Sequence, residues 1–218
     1  MSNKSYDQYC AIAAALDVVG DRWTLLILRE LSFGRRRFTD LRAYLPGIAS
    51  NLLTERLRDL VEAGLVERQE LPAPAARTVY ALTHSGERIV PVLRALALFG
   101  LPLLGDPVEG QVRPRSAVYG GLAPLLDSGV AAGRDLLMRF VLDGEELWLQ
   151  VRGGRIERPD NSSEPDLTFT GSAAALVDVC RGTTDIADLG PRLSVRGSRA
   201  ARQAFTEMFP ATEAVSVG

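Results

Sequence analysis

The chain has 218 residues, 46% of them hydrophobic and 24% charged, with a net charge of −2, the balance of an ordinary globular protein of one large domain or two small ones. Lys4 is its only lysine and His84 its only histidine, so a lysine-bearing phosphate loop and a histidine-rich zinc site are excluded, and a Ser–His–Asp triad could form only around His84. Cys10 and Cys180 are two distant cysteines, which make no disulfide framework and fit a reducing cytoplasm.

In chain order, the polar start MSNKSYDQYC carries no apolar signal-peptide core. AIAAALDVVG is an apolar helix stopped at Gly20. RWTLLILREL is too apolar for a surface helix and is expected to be the central buried one. FTDLRAYL is a short helix ended by the Pro46–Gly47 turn. A helix over 49–63 follows, with Leu53, Leu57 and Leu60 on one face and a stop at Gly64. LVERQE and TVYAL are strand-like and flank LPAPAAR, a Pro/Ala tip carrying Arg77. A last helix is expected from Thr83, as N-cap, to Phe99, kinked at Pro91. Its surroundings, IVPVLRALALFGLPLLG, are the most apolar run, but prolines, glycines and Arg94 interrupt it, so no membrane span is expected.

Residues 101–115 are rich in proline and glycine and read as a linker, giving domains at 1–100 and 116–218. The charge divides there as well: residues 1–100 carry 13 basic and 11 acidic groups, residues 101–218 carry 12 and 16. Beyond the linker, LLMRFVL, EELWLQVR and RIERP form a three-strand meander with tight turns at Asp143–Gly144 and Gly153–Gly154. DLTFTG and LSVRG are short strands ending in glycine, each followed by an apolar helix. The fold class expected is therefore α+β in two domains: an N-terminal winged helix-turn-helix and a C-terminal antiparallel or mixed sheet with helices packed on it.

In a winged helix-turn-helix the second helix of the pair enters the DNA major groove and the first braces it. Here the reading helix is 49–63, and its leucine stripe turns Asn51, Thr54, Glu55 and Arg58 outward, side chains able to meet base edges and phosphates. Thr39 and Ser50 open the bracing and reading helices and join the candidate contacts. Arg35, Arg36 and Arg37 precede the bracing helix and can neutralise phosphates, and Arg77 can reach the neighbouring minor groove. Local charge placement outweighs the acidic total.

Residues 9–99 resemble the HxlR family of bacterial transcription regulators. The resemblance rests on Cys10, Gly20, Trp23, Arg36–Arg37–Phe38, Leu45–Pro46–Gly47–Ile48, Leu53–Thr54, Leu57–Arg58, Gly64–Leu65–Val66, Tyr80, Leu82–Thr83 and Gly86. It implies a cytoplasmic homodimer on double-stranded DNA, with terminal helices forming much of the interface. Two departures stand out. Ala49 replaces the family's serine after Pro-Gly-Ile, so the helix cap is expected to pass to Ser50, and Asn51 replaces a common basic residue.

Residues 136–210 resemble, through the order of meander, strands and helices, the sterol carrier protein type-2-like fold. That resemblance implies an apolar tunnel for a lipid-like ligand and no catalytic residue. Phe140, Trp148, Phe169, Leu176, Phe205 and Phe209 are candidates to line it, or alternatively to fill a closed core. Trp148 lies on the less apolar strand face, where a covering helix or a ligand is expected to bury it.

These readings converge on a ligand-responsive dimeric regulator at an inverted-repeat operator, with repression the expected sign. It needs no cofactor or metal and is not an enzyme; its partners are DNA, a second copy and an apolar small molecule. Two alternatives stay open. One is a regulator that senses oxidants or electrophiles through Cys10, as the resemblance suggests. The other is a small-molecule carrier or enzyme whose N-terminal half only dimerises it.

Overall fold

The computed structural model describes residues 5–72, 77–107, 111–157, 163–185, 188 and 190–211, and the chain divides into two compact units, Met1–Leu93 and Arg94–Gly218. The division falls inside the last helix of the first half, ahead of the Pro/Gly-rich stretch read as a linker. Of that stretch, Leu101–Leu103 form a 3-10 turn and residues 108–110 lie outside the described residues.

The first half runs α1 (Ala11–Val19), α2 (Thr24–Ser32), α3 (Phe38–Tyr44), α4 (Ser50–Glu62), β1 (Val66–Leu71), β2 (Arg77–Leu82), a 3-10 turn (Gly86–Ile89) and α5 (Val90–Gly100), within which the first unit ends at Leu93. Its core gathers Ile27, Leu28 and Leu31 from α2, Leu41 and Leu45 around α3, and Leu53, Leu57 and Leu60 from α4. The 3.6-residue repeat explains α4 directly: the three leucines turn onto one face and are buried there. The helix stops in a Schellman motif, with Gly64 at φ +71°, its N–H donating to the Val61 carbonyl and the Leu65 N–H to that of Leu60. Thr83 then ties this end to the next element: its Oγ1 donates to the Gly64 carbonyl and accepts from the Gly86 N–H.

Two local expectations are corrected. The cap of α4 does not pass to Ser50; Ala49 occupies the N-cap position in extended conformation without a side-chain bond, and Ser50 is the first helical residue. The Pro46–Gly47 turn, with Gly47 at φ +90°, delivers the chain to the helix at that residue. The helix expected from Thr83 to Phe99 is divided instead of kinked: a 3-10 turn ends at Ile89, and Pro91 sits in the first turn of α5, where its missing N–H costs nothing.

The second unit is a mixed five-stranded sheet, β3 (Leu136–Leu142), β4 (Glu145–Arg152), β5 (Arg155–Glu157), β6 (Leu167–Gly171) and β7 (Leu193–Gly197), in the order β5-β4-β3-β6-β7. The meander β3-β4-β5 is antiparallel, whereas β6 lies parallel to β3. Its two tight turns have positive φ at both central residues, Asp143–Gly144 and Gly153–Gly154, the geometry whose twist matches a hairpin. A π-helical segment (Ser116–Leu122) packs against α6 (Ala173–Cys180), and α7 (Arg199–Met208) lays its apolar face on the sheet. Ser172 and Ser198 cap α6 and α7 with side-chain oxygens. No helix among the described residues is long and apolar enough to cross a membrane.

Candidate nucleic-acid interface

The outward face of α4 carries the residues the leucine stripe implied: Asn51, Thr54, Glu55 and Arg58 are all exposed, back to back with buried Leu53, Leu57 and Leu60. Thr54 Oγ1 donates to the Ser50 carbonyl at 2.9 Å, which fixes its rotamer. Arg58 is 64% exposed, and its guanidinium lies 3.0 Å from Asp59 and 3.7 Å from Glu62. These carboxylates raise its pKa further, the Asp59 hydrogen bond foremost, so Arg58 is a permanent cation held along the helix. Pairs so exposed hold the guanidinium only weakly, so it can exchange them for another anion at modest loss.

The three arginines ahead of α3 separate into distinct roles. Arg35 is exposed and reaches Gln69 of β1 at 3.4 Å. Arg36 forms a backbone bridge with Tyr80 of β2 and turns its guanidinium onto the carbonyls of Phe33 and Arg35, at 3.1 and 3.0 Å. It is therefore a clamp between the start of α3 and the wing. Arg37 is the N-cap of α3; the Asp40 carboxylate accepts from its backbone N–H at 3.0 Å and from its Nε at 3.2 Å. Asp40 so closes the helix end while half-neutralising Arg37. Thr39 and Ser50 are exposed in the first turns of their helices. Arg77 is exposed at the first position of β2, opposite Leu71, and residues 73–76 of the tip lie outside the described residues.

Sequence reasoning missed Arg56. It is the only charged residue of α4 turned inward, with a side chain 10% exposed, and its Nη1 meets Asp59 at 2.8 Å, Asp21 at 3.2 Å and Glu55 at 3.3 Å. The signal was present: position 56 is three after Leu53 and four before Leu60, inside the buried stripe. Arginine can occupy such a position only when carboxylates surround it.

Cys10 is exposed at the N-cap of α1, where the backbone N–H groups of Ala13 and Ile12 lower its pKa by favouring the thiolate. Cys180 is the opposite case, fully buried in α6 and pushed up to about 12 by that burial. In the second unit, five of the six ligand candidates are buried, four of them in one aromatic column. Phe140 stacks on Phe169 at 4.7 Å, Phe169 meets Phe205 at 5.0 Å and Phe205 meets Phe209 at 5.2 Å, while Leu176 is buried in α6. Trp148 is not with them. It pairs across the strands with Arg139, on the opposite face from Phe140. Its ring is half-buried, with the Arg139 guanidinium 5.9 Å away and Glu146 accepting its indole N–H at 2.9 Å, while its carbonyl accepts from the Tyr119 hydroxyl at 3.0 Å. A separate groove of about 440 Å³, lined by Arg94, Leu98, Pro124, Asp127 and Pro210 among others, contains none of the six.

An exposed polar helix face over a leucine core, a bracing helix and a two-stranded wing define a winged helix-turn-helix DNA-binding protein, a transcription regulator by class. A family profile described as HxlR-like helix-turn-helix matches residues 18–104. The chain is 35% identical over 95 residues to an uncharacterized HTH-type transcriptional regulator of Methanothermobacter thermautotrophicus, covering 43% of this chain and 72% of that protein. Over 83 residues it is 34% identical to the HTH-type transcriptional regulator YodB of Bacillus subtilis, covering 38% and 74%. The solved reduced form of YodB aligns at 28% identity with a TM-score of 0.40, covering 46% of this chain and all of that one. The chain belongs to the HxlR-like helix-turn-helix family of transcription regulators.

Proposed function

We propose that the protein is a dimeric, ligand-responsive regulator that binds an inverted-repeat operator, one α4 per half-site. The observation that carries this reading is the face of α4: Asn51, Thr54, Glu55 and Arg58 stand outward, opposite the buried leucines, in a chain of this family. Arg35, Arg37 and Arg77 supply phosphate contacts around it, and Thr39 and Ser50 support them from the first turns of α3 and α4. Dimerisation is supported by apolar side chains left in solvent. Ile12 and Leu16 share a face of α1, and Val92, Leu96 and Phe99 share a stripe of α5. Binding of the purified protein to its own upstream DNA, followed by anisotropy across a salt series, tests the assignment; no binding at low salt by a protein that sizes as a dimer would favour a carrier instead.

The second unit is the sensor in this reading, and its ligand an apolar small molecule, in keeping with the resemblance to the sterol-carrier-like fold. Its aromatic column ends at Phe209, and the next residue, Pro210, lines the 440 Å³ groove. Entry at the groove with displacement of Phe209 is a short path into the apolar interior. The ligand alters DNA affinity only if it binds the two dimer geometries unequally. Native mass spectrometry of the purified protein, searching for a co-purified apolar compound, tests this half.

A second reading has its own observation. Cys10 is exposed and its thiolate is favoured by two backbone N–H groups, the combination that makes a cysteine reactive. Cys10→Ser decides it: an oxidant response that survives the substitution removes Cys10 from the mechanism.

A further inference from the structure

The α1–α2 turn grips α4 at two places. At the middle of the helix, Asp21 lies 3.2 Å from the buried guanidinium of Arg56. Asp59 and Glu55, on the same helix, already neutralise that guanidinium through the same Nη1 at 2.8 and 3.3 Å, so Asp21 is surplus to balancing its charge. Gathering three carboxylates about one nitrogen costs desolvation and mutual repulsion, and an apolar side chain would fill the site more cheaply. What Asp21 adds is a connection between elements. At the entry to the helix, the Trp23 ring reaches the Pro46–Gly47 turn: a Cβ on Gly47 would lie 3.7 Å from Trp23 Cη2. Trp23 itself stands at φ +80°, a left-handed backbone conformation that a bulky side chain adopts only when its surroundings impose it. The same turn continues back into α1, whose Ile12 and Leu16 face outward.

We propose that Asp21 and Arg56 are positioning residues that transmit the orientation of α1, in the dimer, to α4, and so set the half-site spacing the protein accepts. The proposal rests on the DNA-binding dimer described above. Two recognition helices held rigidly to their dimer helices read only one separation and rotational phase, because each added base pair turns the second half-site about the duplex axis. A loosened strut lets each α4 adjust alone. Affinity for a lone half-site is then kept while discrimination between spacings falls.

Asp21→Asn is the informative variant, because Arg56 keeps Asp59 and Glu55 and the helix stays intact. The operator is first selected from random duplex DNA with the full-length wild-type protein. Affinities are then measured for that operator, for versions with the spacer lengthened or shortened by one and two base pairs, and for a single half-site. Asp21→Asn is expected to bind the half-site within about twofold of wild type, with a spacing preference reduced at least fivefold. Asp21→Glu restores that preference, and Arg56→Met reproduces the loss. An unchanged spacing preference in Asp21→Asn overturns the proposal, as does a parallel fall in half-site and operator affinity, which marks a purely structural role. If the wild type selects no DNA, the functional reading fails first and takes this proposal with it; retained wild-type selection with unaltered variants sinks the strut alone.

Discussion

Ile12→Ala provides the sharpest measure of the dimer. Ile12 is 71% exposed on α1 although it is one of the most apolar side chains available. The substitution removes three carbons, each contributing about 0.8 kcal/mol on burial. Scaled by the fraction still in solvent, the loss is about 1.7 kcal/mol per copy. A two-fold interface uses the same patch twice, so the dimer loses about 3.4 kcal/mol, close to a 300-fold rise in dissociation constant. The monomer should be indifferent, since alanine is the better helix former and Ile12 contributes little to the internal core. Sedimentation equilibrium across a concentration series reads the dissociation constant, and thermal melting at high dilution reads the monomer. An unchanged dissociation constant with an unchanged melt would take α1 out of the interface and refute the reasoning.

Arg58→Ala should weaken operator binding by roughly 5- to 100-fold and relax preference at one base pair, read by anisotropy against single-base variants; uniform weakening across all of them would mark a phosphate contact. With Arg35, Arg37 and Arg77 on phosphates in each of two subunits, log K should fall against log salt with a slope of about −5, and Arg37→Ala should flatten it. Phe169→Ala removes one of the two inner rings of the four-ring column and should cost the second unit about 3–5 kcal/mol in a urea melt, an effect that Trp148→Ala, on the other face, does not match. Cys180 keeps its proton in the folded chain up to about pH 12, against an ordinary thiol near 9.0. The folded state therefore holds more protons in that window, and stability falls as pH rises through it. Cys180→Ala should remove that share of the slope, measured as the difference between the two proteins' denaturation midpoints.

The parts of this architecture that follow from short-range periodicity were legible in advance. The leucine repeat of α4, the alternation in β4 and the Asp143–Gly144 and Gly153–Gly154 turns each depend on neighbours a few residues away, and their physics is local. What escaped depends on distant partners. Arg36 reads as one of three equivalent phosphate ligands until Tyr80 arrives beside it and the guanidinium finds two backbone carbonyls. The position of β6, parallel and next to β3, follows from a crossover that no strand pattern specifies. Strand alternation sets Trp148 on the less apolar face of β4, but its cross-strand neighbour Arg139 comes only from the register with β3.

The charge of the recognition helix makes the same point. Over Ser50–Glu62 it carries two arginines and three acidic residues, so the element read as DNA-facing is itself slightly negative. That sign would be a liability if the acids faced the groove unpaired. Asp59 instead divides its two oxygens between Arg56 and Arg58, holding one inward and one along the exposed side. Glu55 lies against the buried arginine, and Glu62 stands a turn beyond Arg58. The acids thus steer the arginines as well as opposing them, and in the proposed complex the positive field that attracts a duplex comes from outside the helix, from Arg35, Arg37 and Arg77. The division of labour has a consequence for engineering: adding lysines to α4 should raise affinity for all sequences together, whereas changing Asp59 should alter which sequence is preferred, because it alone orients both arginines.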